Sequence, residues 1–196
     1  MGWKKCPCSS FQSGSLQTVF WDIAKIAPNK ELESVVINAY LMMLVHKYNQ
    51  NKAGEAALID TFAMTAIWKK KTGRIRIDPM AHKVIVGIVN ENNHWMLVVM
   101  YPHKALFVDP LGETNEKIKT CLESTRAFMR KKGCSVSRWT CSTLPHSTQQ
   151  DGTSSGVLAL KFAQKILQGD EIDLDTPQTV CGQVKAGHSH FPRQRI

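Results

Sequence analysis

Four polar side chains in the second half of the chain, His94, Asp109, Gln149 and Ser155, form a set with the chemistry of acyl transfer. An imidazole beside a carboxylate is an oriented general base, because the carboxylate decides which ring nitrogen carries the proton. An amide side chain and the free N–H groups at a helix start both donate to an oxygen that gains negative charge during the reaction. A hydroxyl or thiol at such a helix start is a candidate nucleophile. Each residue also has an ordinary use. His94 suits a turn before Trp95, Asp109 before Pro110 suits a strand end, Gln149 lies in a polar loop, and Ser155 suits a helix N-cap. Order and setting, taken together, raise the four above those uses.

Positioning them requires a defined run of elements. Leu32, Val35, Val36, Ala39, Tyr40, Met43 and Leu44 recur at spacings of three and four, which predicts a helix over residues 32–44. Asn29 is its expected N-cap, with Glu31 and Glu33 at its positive end. Residues 56–68 read as a second helix running into lysines. The period then changes: residues 83–89 (KVIVGIV), 95–101 (WMLVVMY) and 105–108 are short, apolar and rich in β-branched types, with residues 90–93 as the first turn. They predict a meander of buried strands in which His94 opens the second and Asp109 closes the third, so that the two side chains meet. An amphipathic helix over 116–132 closed by Gly133, a strand over 134–141, a polar loop over 145–155 and a helix over 156–167 closed by Gly169 complete the outline. Helices at both ends around a central sheet make the fold class α+β.

The segment Asn93-His94-Trp95 before an apolar strand, then Asp109, then Gln149-Gln150-Asp151-Gly152-Thr153-Ser154-Ser155-Gly156, resembles the sentrin/SUMO-specific protease family, with its deneddylase and adenoviral relatives. The helix LESVVINAYLMML, around Ile37, Asn38 and Tyr40, is similar to that family's first helix. The resemblance spans about residues 30–168. It implies a papain-like cysteine protease fold, a small and mostly antiparallel sheet flanked by helices. It further implies that His94 is the base, Asp109 its orienter and Gln149 an oxyanion donor. Trp95, with Glu31, Leu32 and Gly156, would border a channel for the Gly-Gly tail of a ubiquitin-like modifier. Glu31 stands where the family has a tryptophan; Trp21 folding back is one way to replace that wall.

Ser155 occupies the position of the family's cysteine. A thiol beside an imidazole rests as a thiolate, whereas a hydroxyl keeps its proton until attack. Hydrolysis by this chain is therefore expected to be very slow or absent. Two origins fit: an engineered Cys→Ser exchange that traps substrate, or a natural binder of modifiers that does not cut. Retention of His94, Asp109 and Gln149 favours the exchange. A serine hydrolase in the chymotrypsin chain order suits the α+β outline poorly. Gly152-Thr153-Ser154-Ser155-Gly156 also spells GxSxG, but the elbow would need a buried strand where residues 145–151 are polar.

Bulk composition agrees with one domain. The 196 residues are 43% hydrophobic and 21% charged, enough for a single core, with residues 1–15 read as a flexible tail and 16–196 as one catalytic domain. No apolar run reaches a membrane-spanning length and no secretory signal is evident, so an intracellular monomer, nuclear or cytoplasmic, with free thiols is expected. Cys6 and Cys8 have no second pair at zinc-like spacing, and neither metal nor cofactor is expected. The net charge of +9 gathers at Lys69–Arg76 and at Arg130, Lys131 and Lys132; a solvated surface and helix-end cations account for the second cluster, and the expected partner is a modifier protein, not nucleic acid or membrane.

Overall fold

The computed structural model describes residues 31–51, 55–71 and 75–169. The expected tail, the Asn29 cap, Cys6, Cys8 and Trp21 lie outside the described residues. In chain order the elements are α1 (Ser34–Asn51), β1 (Ala56–Ile59), α2 (Thr61–Trp68), a 3-10 turn (Pro79–Ala81), β2 (Val84–Glu91), β3 (His94–Met100), β4 (Lys104–Val108), α3 (Asn115–Lys131), β5 (Thr140–Ser142) and α4 (Ser155–Gln168).

The five strands lie side by side in chain order. The central meander is antiparallel, pairing β2 with β3 and β3 with β4, while the short β1 and β5 join its two edges in parallel. Both faces of the sheet are covered. Val84, Val86, Ile88, Leu97, Val99, Leu106 and Val108 pack with α1 and α4 on one side. Ile85, Val89, Met96, Val98, Met100 and Phe107 pack with α2 and α3 on the other. That explains why β2 and β3 read as unbroken apolar runs and not as alternating ones. Each such side chain contributes roughly 1.5–3 kcal/mol by leaving water, so burial on both faces anchors the meander firmly. Gly87 interrupts the run because α2 lies against it: a Cβ there would come within 2.9 Å of the Met64 side chain and 3.1 Å of the Ile59 carbonyl oxygen.

Two segments differ from the sequence expectation. Residues 56–59 form a strand, not the first turn of a helix. Asn49 of α1 clasps Ala56 through paired 2.9 Å bonds to its N–H and C=O, and β1 then ladders onto Val84–Gly87. Asp60 restarts the chain as α2 by accepting from the N–H groups of Phe62 and Ala63. Tertiary pairing here overrides the helical preference of an Ala-Ala-Leu run. The strand expected over 134–141 shrinks to Thr140–Ser142. Cys134 N–H bonds back to Met129 C=O beyond the end of α3, and Trp139 N–H turns back onto Val136 C=O, so the intervening backbone is spent locally.

The helix ends follow the sequence closely. Lys132 and Gly133, the latter at φ +79°, close α3, and Gly169 at φ +77° closes α4. The basic clusters are partly engaged: Lys69 caps α2, Lys70 pairs with Glu123 at 2.6 Å, and Lys132 donates to Ile75 C=O. Among the described residues no helix is long and apolar enough to cross a membrane.

Candidate active site

The β2–β3 turn sets the position of His94. Asn92 and Asn93 both take positive φ, 54° and 62°, in a two-residue hairpin closed by the Glu91–His94 pair. Asparagine tolerates that conformation better than most residues, and the turn leaves His94 as the first residue of β3. Asp109 follows the last residue of β4, the next strand of the sheet. Across this step His94 Nε2 lies 2.5 Å from Asp109 Oδ1. The carboxylate accepts, so Nε2 carries the proton and Nδ1 is left as the basic nitrogen of the neutral ring.

Asp109 is fully buried and heavily satisfied. Its carboxylate also accepts from Lys117 Nζ at 2.6 Å and from Leu111 N–H at 2.9 Å. Burial alone would raise its pKa, but the bonds from His94, Lys117 and Leu111 outweigh that and hold it below the usual carboxylate value.

Ser155 is the first residue of α4 and is buried. The N-cap is Ser154, and the loop is tied by Asp151, whose carboxylate accepts from the N–H groups of Thr153 and Ser154 at 2.7 Å and from the Ser154 hydroxyl at 2.8 Å. The Ser155 hydroxyl is thus released from capping. It accepts instead from Trp95 N–H at 3.3 Å, which sets it against the residue adjoining His94. The Ser154 elbow is absent: no strand precedes residue 154 between Ser142 and α4, and its hydroxyl is spent on Asp151.

Gln149 is held by its backbone, whose N–H donates to Pro110 C=O at 2.7 Å beside Asp109. Its side-chain Nε2 donates to Asp151 C=O at 2.8 Å, and its buried Oε1 has no partner. An amide nitrogen carries two N–H groups, so one donor remains beyond the bond to Asp151. The structure thus gathers His94 with Asp109, Trp95 with Ser155, and Gln149 with the Asp109 turn.

Trp95, Leu32 and Gly156 also meet. A Cβ on Gly156 would lie 3.1 Å from Trp95 Cδ1, 3.2 Å from Leu32 Cβ and 3.4 Å from Ile37 Cδ1. The absent side chain lets the starts of α1, β3 and α4 close on one another. Beside them an open groove of about 490 Å³ runs between Glu31, Leu32, Val35, Asn90, Asn93 and Trp95. Trp95 and Leu32 are mostly buried and form its floor, while Glu31 and Glu33 are exposed at its mouth.

Sequence reasoning missed Lys117, Glu113 and His146. Lys117 reaches Asp109 from the first turn of α3, and Glu113 Oε1 accepts both Asp109 N–H at 3.1 Å and His146 Nε2 at 2.8 Å. No local motif marks these residues; the turn from β4 into α3 brings Glu113 and Lys117 to the site, and the loop before α4 brings His146.

Comparison with known proteins follows the same outline. Residues 20–183 match the family described as Ulp1 protease family, C-terminal catalytic domain. Among solved structures, the C-terminal Ulp1 protease domain in complex with Smt3, the yeast ortholog of SUMO, aligns with a TM-score of 0.63 at 16% identity, over 78% of this chain and 73% of that one. The Xanthomonas campestris effector protein XopD bound to ubiquitin aligns at 0.53 and 15% identity, over 78% and 88%. A de-sumoylating protease aligns at 0.56 and 14% identity over 70% of this chain, which spans only 62% of that one. At these identities the structural likeness speaks to fold. A comparison with curated proteins found no match.

Proposed function

The chain belongs to the Ulp1 protease family, and from that premise we propose that it grips the C-terminal Gly-Gly tail of a ubiquitin-like modifier in a papain-type site whose nucleophilic position is filled by Ser155. The observation that carries the reading is the convergence at one helix start: Ser155 Oγ bonded to Trp95 N–H, with the neighbouring His94 tied through Nε2 to Asp109.

In this reading the modifier tail lies along the groove beside Trp95, where glycines pass without side chains to clash. The scissile carbonyl sits at the start of α4, where free N–H groups and the remaining Gln149 donor face its oxygen. His94 Nδ1 takes the nucleophile's proton, and Asp109 stabilises the imidazolium that forms. With cysteine at 155 the proton has moved before substrate arrives; with serine it must move during attack, in a site where Trp95 N–H already holds the oxygen. Hydrolysis is consequently very slow or absent in this chain, while binding persists. An exchanged cysteine accounts for the intact remainder of the set. Glu31 and Glu33 make the groove mouth acidic, which favours a tail with a basic residue before its glycines.

A binding module that never cut is the second reading, and Lys117 favours it. Its ammonium shares the Asp109 carboxylate, leaving less negative charge to support an imidazolium.

Fluorogenic substrates ending in the tails of SUMO, NEDD8 and ubiquitin test both. The Ser155→Cys chain is expected to cleave at least one, with native turnover lower by on the order of 10²–10⁴-fold and similar affinity. Binding without turnover in Ser155→Cys selects the module, and loss of both binding and turnover contradicts the proposal.

A further inference from the structure

A second imidazole–carboxylate pair lies beside the first. His146 Nε2 is 2.8 Å from Glu113 Oε1, and His146 Nδ1 is 2.9 Å from Ser147 C=O. A carboxylate and a carbonyl oxygen can only accept, so both ring nitrogens donate and the ring is an imidazolium. It is a buried one: the His146 side chain is 2% exposed and that of Glu113 15%, with the Phe162 ring of α4 packed 4.9 Å away.

The pair joins two segments that carry the candidate catalytic groups. Glu113 Oε1 also accepts Asp109 N–H, Gly112 N–H donates to Asp109 C=O, and Gln149 N–H donates to Pro110 C=O. We propose that the Glu113–His146 ion pair is a positioning clamp, holding the turn that carries Asp109 against the loop that carries Gln149, and that the clamp loosens when His146 loses its proton. The consequence for catalysis rests on the protease reading; the clamp itself does not.

The charged surroundings favour the closed state at neutral pH. From the turn after β4 come Glu113 and, at longer range, Asp109; Cys141 of β5 faces Glu113; Lys117 of α3 reaches Asp109; α4 offers the uncharged Phe162. The hydrogen bond to Glu113 raises the His146 pKa above the ordinary imidazole value against the opposing effect of burial. Glu113 is held below its usual value, burial being outweighed by its bonds to His146 and Asp109 N–H. His146 therefore stays charged below the ordinary imidazole range and discharges only as pH rises through the raised value. Neutral imidazole keeps only one of its two donated bonds: without Nε2–H the hold on Glu113 is lost, and without Nδ1–H, whose acceptor Ser147 C=O lies in the same loop, the link to Glu113 falls from an ion pair to a plain hydrogen bond.

The test is an NMR titration of the full chain from pH 5 to 9. It reads the two ring nitrogens of His146 and the backbone amides of Asp109 and Gln149. Both nitrogens are expected to be protonated at neutral pH, and the two amide signals to follow the His146 midpoint. Glu113→Gln should move that midpoint down towards 6.5, the ordinary imidazole value. A His146 ring neutral at pH 7 overturns the proposal, as do Asp109 and Gln149 signals that ignore its titration. The native-chain titration decides the matter if Glu113→Gln does not fold. In the Ser155→Cys chain the alkaline limb of turnover should share the midpoint and move down with Glu113→Gln. Coupled signals in a Ser155→Cys chain that never turns over uphold the clamp and contradict the protease reading instead.

Discussion

Ser155 stands at a helix start without serving as its cap, and that separation is what distinguishes a reactive position from a structural one. Asp151 and Ser154 close the helix end, so the Ser155 hydroxyl is free to face the start of β3. The residue types of the site were legible in the sequence because His94, Asp109, Gln149 and Ser155 fall at element boundaries. Lys117, Glu113 and His146 were not, since their meaning depends on a turn that only the folded chain makes. Asp109 answers to three donors at once. Asp109→Asn is expected to cost roughly 1–3 kcal/mol in urea unfolding by stranding the Lys117 ammonium and weakening the hold on His94. In a Ser155→Cys background the same change should lower turnover on the order of 10²–10⁴-fold, by the wrong tautomer at His94. Unchanged turnover would remove Asp109 from the mechanism.

Element by element, hydrophobic pattern foretold the meander and the three long helices, because burial on both faces wrote unbroken apolar runs into β2 and β3. It failed at the sheet edges. β1 and β5 have only four and three residues, too few to show a period, and each exists because a longer neighbour offers it a ladder. Close approach of elements gives a further prediction. Gly156→Ala would press a methyl group onto Trp95 of β3, Ile37 of α1 and Leu32 just before α1. A loss of about 1–3 kcal/mol is expected, together with weakened modifier binding, because the floor of the groove must shift. Calorimetric titration of the variant with a modifier checks this, and native affinity would show that Trp95 does not line the binding channel. Gly87→Ala, which meets the Met64 side chain and the Ile59 carbonyl, should cost a similar ~1–3 kcal/mol but leave affinity intact in the folded fraction.

For the whole molecule, charge placement sets a pH window. Asp109, Glu113 and Asp151 are all held below their ordinary values, so each stabilises the fold above about 3.8–4.5 and that support is lost as pH falls through the lowered values. His146 is raised, so its contribution is full below 6.5 and is lost as pH rises through the raised value. Urea midpoints should therefore be greatest between about 4.5 and 6.5 and decline on both sides; a flat alkaline side would deny His146 its ionic role. The most direct measurement of the central claim is covalent capture. The Ser155→Cys chain, treated with ubiquitin-like modifiers carrying a C-terminal vinyl sulfone, should form an adduct that peptide mass spectrometry maps to position 155. The native chain and the Ser155→Cys, His94→Ala double variant should form none. No adduct with any modifier, or one mapped instead to any of the chain's own six cysteines, would contradict the account.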